Sequence, residues 1–72
     1  MTRDEFIVEM QDVLQTESTV TAETSLADLA EWDSLAVMAT MAYLDRNFGV
    51  KLSIADIKEL KTIGDIAAKA GL

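Results

Sequence analysis

The 72-residue chain is predicted to be all-α: a small four-helix bundle with a long loop between helices 1 and 2 and a short third helix. Three observations predict it. Apolar residues recur at helical spacing in four separate segments, and no segment sustains the apolar/polar alternation of a half-buried strand. Pro is absent, as are Asn-Gly and Asp-Gly turn dipeptides, and the three Gly fall at 49, 64 and 71. Residues 1–72 read as a single domain, which at this length buries about 60% of its unfolded surface around a modest core.

The first helix is carried by Phe6, Ile7, Met10, Val13 and Leu14, spaced i, i+1, i+4, i+7 and i+8 on one face. Thr2 with Glu5 three residues on reads as its capping box, and Asp4 and Glu5 suit the positive end of the helix dipole. Residues 16–33 are rich in hydroxyls (Thr16, Ser18, Thr19, Thr21, Thr24, Ser25) that compete with helix, so a long loop is expected there. Val20, Leu26, Leu29 and Trp32 pin it, and the spacing of the last three implies a turn of helix inside it. A loop of this length in a compact domain is often functional.

The second helix runs from about Ser34 to Phe48, with Asp33 and Ser34 as cap candidates and Gly49 as its stop. Leu52 to Leu60 forms the short third helix, capped by Ser53, with Ile54, Ile57 and Leu60 on the buried face. Thr62 opens the fourth, with Asp65 in its first turn, Ile63, Ile66, Ala67 and Ala70 as its buried stripe, and Gly71 beyond its end.

Thirteen acids against six bases give net −7, which disfavours nucleic acid and anionic membranes as partners. With no Cys and no His, disulfides, thiol nucleophiles, Ser-His-Asp triads and imidazole metal sites are excluded. The acids Asp28, Glu31 and Asp33 do not match a calcium-loop ligand ladder, so no metal site is expected. An enzyme built from what remains would have to use carboxylates, Lys or Ser in a very small pocket, so the chain is read as not an enzyme. The uncharged run Ser34–Leu44, 11 residues, is too short to span a bilayer, and the acidic Met1–Glu5 start does not resemble a signal peptide. A cytoplasmic monomer without stable membrane insertion is expected.

Charge is unevenly placed. Residues 1–33 hold nine acids and one base, whereas residues 34–72 hold four acids and five bases. The second helix therefore opens with three uncharged turns and is apolar on nearly every side, more than a small bundle can bury.

The triplet Asp33-Ser34-Leu35 follows a long loop, opens the second of four helices and precedes Phe48-Gly49-Val50, all in an acidic chain of about seventy residues. With these features the whole chain resembles the acyl carrier proteins and the related peptidyl and aminoacyl carriers. The resemblance implies that Ser34 bears a 4′-phosphopantetheine arm through a phosphodiester, that acyl groups ride on the arm's thiol, and that other enzymes do the chemistry. It implies as partners a phosphopantetheinyl transferase, an acyl- or aminoacyl-loading ligase or synthase, and acyltransferases. A helix N-terminus suits the phosphate physically, because its first N–H groups lack partners. Asp33 has two roles open, capping the helix or orienting the transferase and its metal-bound substrate. Leu35 is assigned to partner contact, and Trp32 to anchoring the loop rather than stacking on a ligand.

Carriers of central fatty-acid synthesis display acids along the exposed face of this helix and often a small residue before Asp-Ser-Leu. Here that face is expected to offer Ala36, Ala39 and Thr40, and Trp32 precedes the triplet. The departures point to a specialised pathway, with Asp45, Asp56 and Glu59 as the remaining acidic partner contacts. An amino-acid carrier is the alternative within the family, and an unmodified helical interaction adaptor the alternative outside it.

Overall fold

A computed structural model describes residues 1–72, and the four helices stand in the predicted order. Helix α1 spans Arg3–Leu14, α2 Ser34–Phe48, α3 Ile54–Lys58 and α4 Ile63–Lys69, with one 3-10 turn, Leu26–Asp28, inside the loop before α2. No helix is long and apolar enough to cross a membrane.

Side chains satisfy the helix starts as the sequence implies. The Thr2 hydroxyl accepts the Glu5 N–H at 3.1 Å, and the Glu5 carboxylate accepts the Thr2 N–H at 2.8 Å. Ser53 with Asp56 and Thr62 with Asp65 repeat this reciprocal pair at α3 and α4. At α2 the cap is Asp33 alone, whose Oδ1 accepts the Ala36 N–H at 2.9 Å. Helix α2 stops at Gly49, whose φ of +65° places it in the left-handed region that glycine enters without strain.

The core forms where α1, α2 and α4 meet. Phe6, Met10, Leu26, Leu44, Ile63 and Ile66 are fully buried there, and Ile57 is fully buried from α3. Each such side chain contributes about 1.5–3 kcal/mol by leaving water. Phe6, Tyr43 and Phe48 add an aromatic trio that joins α1 to α2, with ring centroids 5.7–5.9 Å apart in tilted or edge-on geometry. The Tyr43 hydroxyl donates to the Glu9 carboxylate. Burial, and then that carboxylate, push the phenol well above its ordinary value.

The loop before α2 is built from local bonds and one long-range seam. Gln15 ends α1 in the left-handed region, the Gln11 side chain accepts the Val20 N–H at 3.2 Å, and the Thr24 hydroxyl accepts the Thr21 N–H at 2.8 Å. The loop then pairs with the start of α4. The Leu26 N–H donates to the Lys61 carbonyl, the Ile63 N–H to Thr24 and the Gly64 N–H to Ala22, over 2.8–3.1 Å, forming a short antiparallel bridge between Ser25 and Thr62. Gly64 is required by this approach, because a Cβ there would lie 2.9 Å from the Ala22 carbonyl oxygen and 2.8 Å from the Arg3 guanidinium. Val20 and Leu26 are buried, and Leu29 and Trp32 pack half-buried against the core, so the expected anchors are in place.

Two expectations are corrected. Helix α3 is five residues long and leaves Ile54 53% exposed, since Ile54 is the first residue after the Ser53 cap and lies at the open end of the helix, whereas Ile57 one turn on is fully buried. On α2, Ala36 and Thr40 are buried rather than presented to partners. With Leu44 they form an i, i+4, i+8 stripe, and Leu44, the bulkiest of the three, fixes which side faces the core.

Candidate functional site

Asp33, Ser34 and Leu35 meet where the loop turns into α2. The loop arrives through two tight turns, with the Trp32 N–H bonded to the Leu29 carbonyl at 3.1 Å and the Asp33 N–H to the Glu31 carbonyl at 2.9 Å. Asp33 is extended, with φ −126° and ψ −171°, which frees its carboxylate to fold over the first turn and take the Ala36 N–H, while its carbonyl accepts the Val37 N–H at 2.9 Å.

Ser34 is thus the first helical residue, exposed, with its side chain outside the helix's own bonding. The N–H groups of Ser34 and Leu35 have no acceptor in the protein and open to solvent, as the first amides of a helix do. A phosphate esterified to Ser34 fits this setting: it stays hydrated, and two unpaired amides and the positive helix end lie next to it. No side chain is hydrogen-bonded to the Ser34 hydroxyl, and the adjacent Asp33 carboxylate uses its Oδ1 to accept the Ala36 N–H.

Around Ser34 the surface is mostly apolar. Leu35 is 77% exposed and Met38 62% exposed, and Ala39 and Ala42 are exposed beside them. A cleft of about 280 Å³ lies between the end of α1 and the start of α2, where Val13, Leu35, Ala36 and Ala39 meet the carboxylates of Glu31 and Asp33. Asp45 and Arg46 are exposed at the far end of α2.

Of the sequence-predicted residues, Asp33, Ser34, Leu35 and Ala39 are brought together here, and Asp45 lies on the same helix. Asp56 and Glu59 are exposed on and after α3, and Asp56 is committed to its cap: the Ser53 N–H bound to its carboxylate is the main cause holding it below the usual carboxylate range. Ala36 and Thr40 point inward. Sequence reasoning misses Met38, Ala42 and Ile54 as surface residues. The signal for the first two is the i, i+3, i+7 spacing of Leu35, Met38 and Ala42, opposite Leu44.

Residues 4–69 match the family model described as a phosphopantetheine attachment site. Three curated relatives are each named acyl carrier protein. The one from an Exiguobacterium species is 32% identical, with 94% of this chain and 92% of the relative covered. The one from Kineococcus radiotolerans is 36% identical over 86% of this chain and 75% of its own length, and the one from Thermotoga maritima 38% identical over 72% and 64%. No solved structure matches the chain significantly. The family implies a covalently attached 4′-phosphopantetheine, to which the open helix start at Ser34 is suited, and its carrier domains are in general non-catalytic. On its helical fold and on a family match that runs nearly end to end, the chain belongs to the acyl carrier protein family and is a carrier protein.

Proposed function

We propose that Ser34 is the attachment residue and that the chain, without catalysing a reaction itself, presents an acyl thioester to partner enzymes of a specialised pathway. The observation that supports this is the exposed Ser34 at the first position of α2, with two unpaired amides beside it and no side chain hydrogen-bonded to its hydroxyl. When attached, the arm supplies the thiol that this cysteine-free chain lacks. Asp33 sets the position of Ser34 by capping the helix and holds a carboxylate beside it. Leu35, at the mouth of the site, is the first contact for an arriving enzyme, and Ala39, Asp45 and Glu59 lie farther out. The partners are a phosphopantetheinyl transferase, a loading ligase or synthase and acyltransferases, met by a cytoplasmic, monomeric single domain of residues 1–72.

Incubation with coenzyme A, Mg²⁺ and a broad-specificity phosphopantetheinyl transferase should add one phosphopantetheine per chain in intact-mass spectra. Ser34→Ala should abolish the addition and leave the helical circular dichroism unchanged. Addition that survives in the variant would move the attachment elsewhere.

A further inference from the structure

We infer that the enzymes meeting this carrier dock on α2 through an apolar, essentially uncharged surface, and are not of the kind that reads a carrier by its acids. The inference rests on the carrier reading and specifies the partner's chemistry at that same site. Three of the five large apolar side chains that the fold leaves exposed are Leu35, Met38 and Ile54, on the two helices α2 and α3 that pack together. On α2 the exposed strip of Leu35, Met38, Ala39 and Ala42 begins at the residue next to Ser34, so it is the α2 surface nearest to an enzyme seated on Ser34.

The charge pattern decides what covers it. Between Ser34 and Leu44 α2 carries no charged residue, and the first two it carries, Asp45 and Arg46, are adjacent and opposite in sign. A basic docking face would find no anion along three turns and would meet a cation at the fourth. It would also leave Leu35 and Met38 against desolvated charge, which is unfavourable without pairing. An apolar face buries Leu35 and Met38 and settles against the small side chains of Ala39 and Ala42, where close approach costs no side-chain ordering. The carboxylates of Glu31 and Asp33 frame one edge. They lie at the edge of the contact and not along the apolar strip.

The test uses the broad-specificity phosphopantetheinyl transferase and a fatty-acid-type malonyltransferase as probes, with NaCl varied from roughly 0.05 to 0.5 M to shorten the Debye length below about 8 Å. For the wild-type chain, kcat/KM with the transferase should change less than about threefold across the series, and Met38→Glu should lower it about tenfold or more. Val8→Glu, an equal charge change at an exposed apolar position on α1, should leave it unchanged, and all three chains should share one helical circular dichroism spectrum. Malonyl transfer to the modified wild type should be poor and should improve in Ala39→Glu. A wild-type rate that falls about tenfold with salt while Ser34 is still modified, or a Met38→Glu chain as good as wild type, overturns the apolar docking surface alone. Failure to modify Ser34 at any salt concentration overturns the carrier reading, and this inference with it.

Discussion

The Thr40 hydroxyl is fully buried and has no hydrogen-bond partner, the one side-chain polar atom in the core left in this state. Such a group costs about 1–3 kcal/mol of desolvation that nothing returns. Thr40→Val keeps the β-branched shape and removes the hydroxyl, so it should stabilise the fold by about 1 kcal/mol, raising the melting temperature by roughly 4–8 °C in a domain of this size. A lower melting temperature in the Thr40→Val variant would mean that the hydroxyl is bonded in solution. Thr40 also marks where reading single residues fails. Its polarity argues for the surface, the small size of Ala36 argues for neither side, and both are expected outward on sequence alone. Leu44 and the helical period override both, because a bulky aliphatic one turn further along gains more by burial than a hydroxyl loses.

At the scale of elements the sequence is most legible where a side chain bonds the backbone close by. The boxes at Thr2 and Glu5 and at Thr62 and Asp65, the caps Asp33 and Ser53, and the stop at Gly49 are all local chemistry, and each is where its spacing indicates. What is not legible depends on distant partners: the aromatic trio, the outward turn of Ile54, and the seam that makes Gly64 obligatory. The boxes also set the response to acid. The Lys61 and Thr62 N–H groups, in that order, hold the Asp65 carboxyl below the usual carboxylate range, and the Thr2 backbone does the same for Glu5. For a carboxyl lowered by folding, the stabilisation is complete above its unfolded value, about 4, and is lost as pH falls through the lower folded value. Melting temperature should therefore drop between about pH 5 and pH 2. Asp65→Asn should melt lower at neutral pH and show a shallower acid limb; parallel limbs for the two proteins would rule out Asp65 as a source of the drop.

Across the whole molecule the dominant electrostatic fact is net −7, with nine acids and a single base in residues 1–33. Like charges confined to one half of a small fold repel, and salt screens them. Melting temperature should rise with NaCl and more steeply with Mg²⁺ or Ca²⁺; a flat curve would show that the acids are already balanced by the few bases. The same half contains the loop that is sewn to the start of α4 through Ser25 and Thr62, residues 37 positions apart. The seam joins residues far apart in sequence, the kind of contact that closes late in folding. Until it closes, Leu26 has no Lys61 carbonyl to bind and Ala22 no Gly64 N–H, so this stretch of the loop has only its local hydrogen bonds. The segment that leads into Asp33 thus takes its final shape only when α4 has folded against it.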